Sequence, residues 1–157
     1  PLRFLHRAMD LYGSTVGIVS GDKQFTYAEF GLRCERLAAG LASLGIRPGD
    51  RVAYISFNTH QLLEGYYGVI QAHAIVMPLN VRLSPPELIN IINHSGARVV
   101  MFENDFAGLV EQLRPACGAV EKFITLDGAI ERADMTLEEV MSLGTPERAD
   151  IFSYDET

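Results

Sequence analysis

The sequence predicts an α/β fold, a mainly parallel sheet flanked by helices on both faces. Two observations carry this expectation. Short apolar segments of strand character alternate with helix-like segments from about residue 25 to residue 144, the pattern of strands joined by crossover helices. The helix-like segments also open on side-chain capping signatures and tend to close on glycine. Right-handed crossovers are expected between the strands.

Each element has its own signal. "VGIVS" and "QFTY" flank "GDK" and suggest a small hairpin. "FTYAEFGLRCERLAAGLASLG" is the strongest helix. Thr26 and Glu29 are spaced for a capping box, and Phe30, Cys34, Leu37, Leu41 and Leu44 form one apolar stripe before Gly45. Pro48 and Gly49 suit the centre of a type II turn. "RVAYISF" (51–57) reads as a strand and "NTHQLLEGYYGVIQAHA" as a helix opened by Asn58 or Thr59. "AIVMPL" (74–79) reads as a buried strand, followed by a helix with Ser84 as cap, Pro85 in its first turn and Gly96 as its stop. "ARVVMFE" (97–103) is a strand, "NDFAGLVEQLRPA" a helix capped by Asn104, and "VEKFITLD" a strand. A short helix follows, with Thr136 and Glu139 as another capping box.

Composition narrows the function. The 157 residues suffice for one domain with a real core, and 48% are hydrophobic against 21% charged. The net charge is −7 and no run of Lys or Arg forms a patch, which argues against a nucleic-acid partner. No apolar stretch reaches the ~20 residues of a membrane span, and the first residues lack a signal peptide's plan. A cytoplasmic protein is the expectation. Two cysteines, Cys34 and Cys117, cannot build a disulfide framework, and Cys34 lies on the helical apolar stripe as a buried structural thiol.

In parallel sheets ligands gather outside the carboxyl ends of the strands. Three loops qualify: "SFNTH", "LNVRLS" and "ENDF". None carries a recognisable engine. There is no phosphate-binding glycine loop, no nucleophile elbow and no Cys-x-x-Cys, and the four histidines are too scattered for a metal. His60 could face the carboxyl-end rim; His73 is read as packing locally, and His94 as a cation near a helix C-terminus. Glu103 and Asp105 could be an acid/base or metal pair, but capping of the next helix by Asn104 or Asp105 explains the same letters. Tyr66 and Tyr67 are read as core or interface residues.

"FTYAE", "GIRPGDRVAYIS", "PLNVRLSPPEL" and "NHSGARVVMF", in this order and spacing across residues 10–126, resemble the front of the adenylate-forming (AMP-binding) superfamily, and within it the acyl-CoA synthetases or fatty-acid-CoA ligases. The resemblance implies a parent enzyme that uses ATP, Mg²⁺ and CoA to activate a carboxylic acid, in particular a fatty acid, as an acyl-adenylate and to pass the acyl group to CoA. It implies that residues 1–157 are one lobe, the first subdomain of the large N-terminal domain. It also implies that 144–157 lead toward the phosphate loop, which in the family follows a segment like "DIFSYDET". This lobe alone would be inactive, with no catalytic residue of its own, and its partners would be the other domains of the parent chain. By position Asn80 and Arg82 would contact the CoA nucleotide; alternatively Arg82 pairs with a carboxylate or faces solvent. The family usually has glycine where this chain has His73, a side chain that could fill space near an acyl pocket or reshape helix–strand packing. A stand-alone binding module, a flavodoxin-like protein and a carrier-protein-loading enzyme stay open as alternatives, as does a homodimer.

Overall fold

The computed structural model describes residues 1–148. The elements run α1 (Leu2–Tyr12), β1 (Val16–Ser20), β2 (Lys23–Thr26), α2 (Tyr27–Ser43), β3 (Arg51–Ile55), α3 (His60–Gln71), β4 (Ile75–Pro78), α4 (Pro85–Ser95), β5 (Val99–Phe102), α5 (Ala107–Leu113), β6 (Lys122–Thr125), β7 (Met135–Thr136) and α6 (Leu137–Ser142). β1 and β2 form the expected antiparallel hairpin. The other strands make one parallel sheet in the order β4-β3-β5-β6-β7.

Alternation along the central strands divides the core. Val52 and Tyr54 of β3, with Val99 and Met101 of β5, face a layer that holds Leu37, Leu41, Val69 and Val140 from α2, α3 and α6. Ala53, Ile55, Val100 and Phe102 face the opposite way, onto Leu88, Ile92, Val110 and Leu113 from α4 and α5. Period-two side-chain direction thus puts helices on both faces, as predicted. α3 approaches α2 closely at Gly68, where a Cβ would lie 2.9 Å from the Cys34 carbonyl oxygen.

Local signals act as the sequence suggested. Thr26 N donates to Glu29 Oε2 at 2.8 Å while Glu29 N donates to Thr26 Oγ1 at 3.2 Å, and Thr136 and Glu139 do the same. Glu87 Oε2 accepts from both Ser84 N and Ser84 Oγ. Gly45, Gly49 and Gly96 all take positive φ, at two helix ends and a turn that no β-carbon would favour. Both cysteines are buried and unpaired.

Four features differ from expectation. α1 was not foreseen; Leu5 packs with Ile18, Phe30 and Cys34 in a small third core. β7, only two residues long, joins the sheet beside β6. Asn104 does not cap a helix: residues Asn104–Phe106 form a 3₁₀ turn and α5 starts at Ala107. β4 is an edge strand, with Ile75 51% exposed, where a buried strand was expected; Pro78 suits an edge because it has no N–H for a neighbour. His73 lies at the amino end of β4 with φ 56°, at the α3–β4 junction, in keeping with the reading of it as a residue of helix–strand packing. Of the linker expected at 144–157, residues 145–148 carry neither helix nor strand, and the rest lies outside the described residues.

Candidate functional site

The strand order fixes where a ligand could sit. After β3 the chain moves outward to β4, then returns across β3 to β5 and continues to β6. The direction reverses between β3 and β5, so their carboxyl ends flank the topological switch point. The loops after β4, β3 and β5 stand side by side at this edge.

The switch point itself is stitched shut. Glu103, 8% exposed, accepts from Phe57 N through Oε1 at 2.9 Å, and its own N–H donates to the Ile55 carbonyl at 3.2 Å. Burial pushes its carboxyl pKa up, and the Phe57 amide opposes that shift. Asn104 is tied outward, its N–H donating to Asp127 Oδ2 at 2.8 Å, its Nδ2 to the Gly128 carbonyl at 3.1 Å, and its Oδ1 accepting from Thr125 Oγ1 at 2.6 Å. Glu103 and Asn104 therefore fasten loops; neither the acid/base pair nor the helix cap suggested by "ENDF" is what these side chains make. Among the described residues no cluster of three His, Cys, Asp or Glu side chains is arranged to hold a metal ion.

His60 is also spoken for. Its ring stacks on Phe25 with centroids 5.0 Å apart, and Nδ1 lies 3.4 Å from Ser20 Oγ. Burial, with smaller contributions from Lys23 and Arg33, lowers its pKa to about 4. The imidazole is therefore neutral at physiological pH and locks the hairpin to α3. Glu64, fully buried on α3, is paired with Arg33 Nε at 2.5 Å, and Arg33 Nη2 also reaches Glu138 Oε1 at 2.6 Å. This network ties α2, α3 and α6 together, from buried Glu64 out to Glu138 at the surface.

Arg82 is different. Leu79 N donates to the Tyr54 carbonyl at 2.8 Å, prolonging the β3–β4 pairing, and the chain then turns: Leu83 N donates to the Asn80 carbonyl at 3.1 Å. Asn80 Oδ1 accepts from Arg82 N at 3.0 Å, an Asx-type turn that fixes the loop locally. Val81 and Leu83 pack onto the α4–α5 side of the core, while Arg82 between them is exposed. Among the described residues its guanidinium has no ion pair or hydrogen-bond partner. Of the two readings of Arg82 short of a ligand, no carboxylate pair forms among the described residues, and the residue is exposed. On the next loop Phe57 is 51% exposed and rests on Phe106 with centroids 5.1 Å apart. Sequence reasoning passed over Phe57; an aromatic directly after a strand, in "ISFNTH", was the available signal.

The chemistry these groups offer is recognition. A guanidinium is charged at any physiological pH and matches phosphate oxygens with a planar fork of donors. An exposed aromatic face offers stacking to a flat ring. No nucleophile–base pair accompanies them among the hydrogen bonds of the described carboxyl-edge residues.

With the doubly covered parallel sheet and the geometry of its carboxyl edge described, comparison with known proteins defines the class. The AMP-binding enzyme family matches over residues 5–150. The chain belongs to that family and corresponds to the N-terminal part of its CoA ligases. It is 35% identical to the long-chain-fatty-acid–CoA ligase of Thermus thermophilus over 155 residues, 93% of this chain but 29% of that protein. It is 44% identical to the feruloyl-CoA synthase of an Amycolatopsis species over 93 residues, 59% of this chain and 19% of the relative. Among solved structures, the N-terminal domain of FACL13 from Mycobacterium tuberculosis superposes with a TM-score of 0.85 at 25% identity, covering 99% of this chain and 39% of that one. The chain thus spans about a third or less of the curated relatives it matches. Among the described residues no helix is long and apolar enough to cross a membrane.

Proposed function

We propose that this lobe holds the CoA nucleotide for an ATP-dependent acyl-CoA ligase whose reacting groups lie outside residues 1–157. In the parent reaction a carboxylate attacks the α-phosphorus of ATP and releases pyrophosphate; the CoA thiol then attacks the acyl carbonyl and releases AMP. Mg²⁺ would screen the phosphates during the first step, held by other parts of the enzyme. The fatty-acid reading rests on likeness to the Thermus ligase over nearly the whole chain. The enzyme is cytoplasmic on this reading, and this lobe alone forms no adenylate.

Within that scheme Arg82 receives a phosphate of CoA, Asn80 shapes the turn that presents it, and Phe57 on the adjacent loop stacks on the adenine. The observation that carries the assignment is the exposed Arg82, unpaired among the described residues, on a turn held by Asn80 at the carboxyl edge of the sheet. The full-length protein should show fatty-acid-dependent ATP–pyrophosphate exchange and should form the CoA thioester. Phe57→Ala should raise the KM for CoA about fivefold, since loss of one aromatic stacking contact is worth roughly 1 kcal/mol, and leave the exchange reaction unchanged. Equal loss in both half-reactions would remove Phe57 from the CoA site.

A further inference from the structure

The exposed ring of Phe57 sits on a backbone held at both ends, and the residue that holds its amide also holds the ring it rests on. Phe57 N donates to Glu103 Oε1 at 2.9 Å. The Phe57 carbonyl accepts from Thr59 N at 3.0 Å and from Ser56 Oγ at 3.1 Å. Glu103 then uses its own backbone twice. Its N–H donates to the Ile55 carbonyl at 3.2 Å, just before the Phe57 loop, and its carbonyl accepts from Phe106 N at 2.9 Å. One residue therefore fixes both members of the aromatic pair, whose centroids lie 5.1 Å apart with ring planes at 47°. Phe106 packs on the α4–α5 side of the core and backs the more exposed Phe57.

A carboxyl group is a costly choice for this position. Glu103 is buried, and burial, with the nearby Asp127 and Asp105 carboxylates, disfavours its ionised form. Of the groups that favour the ionised form, the Phe57 amide contributes most. The buried side chain is thus directed chiefly at the loop that carries the aromatic.

We infer that Glu103 is a positioning residue for the CoA nucleotide: by holding the backbones of Phe57 and Phe106 it sets the direction in which the Phe57 ring meets the adenine. The inference rests on the reading of Phe57 as the adenine contact. A ring on a fixed loop is in place before the ligand arrives, whereas the same ring on a slack loop must be ordered during binding. Glu103 touches no substrate in this scheme and acts through Phe57.

The test compares two acyl acceptors in the full-length enzyme: CoA, and pantetheine, the thiol arm of CoA without its nucleotide. The readout is the ratio of kcat/KM for CoA to that for pantetheine, which a smaller fraction of active protein leaves unchanged. Phe57→Ala should lower this ratio about fivefold, the loss of one stacking contact. Glu103→Ala should lower it about three- to fivefold through a higher KM for CoA. Glu103→Gln keeps an acceptor oxygen and should stay within about 1.5-fold of the native ratio. The double variant Phe57→Ala/Glu103→Ala should lose nothing beyond Phe57→Ala, because a residue that acts through the ring then has nothing left to position. Should Glu103→Ala fail to fold, Glu103→Met fills similar space without an acceptor and takes its place in the same cycle. A native ratio in the Glu103 variant that lacks the acceptor, beside a lowered one in Phe57→Ala, overturns the positioning role and spares the adenine contact. Additive losses in the double variant overturn it too. A native ratio in Phe57→Ala removes the adenine contact itself, and the positioning role falls with it.

Discussion

The two edges of the sheet use arginine in opposite ways. At the amino edge Arg51 is spent entirely on the fold, Nε donating to the Ser95 carbonyl at 2.6 Å, Nη2 to Gly96 at 2.9 Å and Nη1 to Gly49 at 3.0 Å. It neutralises the open carbonyls at the end of α4 and favours that helix's negative pole. Arg98 reaches Glu121, Asp50 and the Gly45 carbonyl. At the carboxyl edge the stitching is done by Glu103, Asn104 and Asp127, and the cation of the β4 loop stays outside it. One edge uses its charge to close loops; the other keeps a charge available.

Substitution can test that contrast directly. Arg51→Ala removes three charge-assisted bonds and leaves carbonyls of α4 unpaired, so it should lower unfolding stability by about 2–3 kcal/mol without changing the KM for CoA in the full-length enzyme. Arg82→Ala should do the converse. Its stability change should fall within about 0.5 kcal/mol of zero, while the KM for CoA rises about tenfold, near 1.4 kcal/mol, and adenylation stays as it was. Denaturant titration and separate assays of the two half-reactions measure both. If Arg82→Ala destabilises the protein and leaves CoA kinetics untouched, the two edges are not different in kind.

This contrast also marks what the sequence could reveal. Capping boxes, glycine stops and apolar stripes are local, each written in a few adjacent residues, and they placed α2, α4 and α6 and the turn at Pro48. α1 went unseen although Leu2, Leu5 and Met9 recur at helical spacing, because no capping side chain opens it and Gly13 at its end keeps right-handed helical dihedrals. Asn104 was misread because an Asn before an apolar run fits a helix cap as well as a tie to Asp127 and Gly128, and only the β5–β6 pairing decides between them. β7 is too short for any periodicity. Arg82 was legible by position, as the cation beyond a strand. That it lacks a partner among the described residues, while Arg51 and Arg98 have several, depends on long-range packing.

The carboxyl side carries a further, pH-dependent signature. His60 titrates near 6.5 when unfolded and about 4 when folded, so between those values the unfolded chain binds more protons. Its contribution to stability is complete above pH 6.5 and is lost as the pH falls toward 4, at a slope approaching about 1.4 kcal/mol per pH unit. The buried carboxyls of Glu64 and Glu103, raised by burial, act in the opposite sense. The difference between the native protein and His60→Gln isolates the imidazole. Stability of the variant should fall less than that of the native protein from pH 6.5 to 4. Parallel curves would mean that the ring is not held neutral between Phe25 and Ser20.

The smallest expected effect belongs to the amino edge, at His73. Its φ of 56° lies in the left-handed region, which costs a residue with a β-carbon about 1 kcal/mol relative to glycine. The backbone leaves it little choice, since His73 N donates to the Ile70 carbonyl at 2.9 Å and its own carbonyl accepts from Gly49 N at 2.8 Å. This is the position where the resemblance led to an expectation of glycine, and the conformation supplies the reason. Glycine would release the strain and give back part of the gain through its greater freedom when unfolded. His73→Gly should therefore stabilise by roughly 0.5 kcal/mol, whereas His73→Ala, which keeps the β-carbon and loses the imidazole's contacts, should not stabilise. If both substitutions destabilise equally, those contacts outweigh the backbone, and the amino edge depends on this side chain as it does on Arg51.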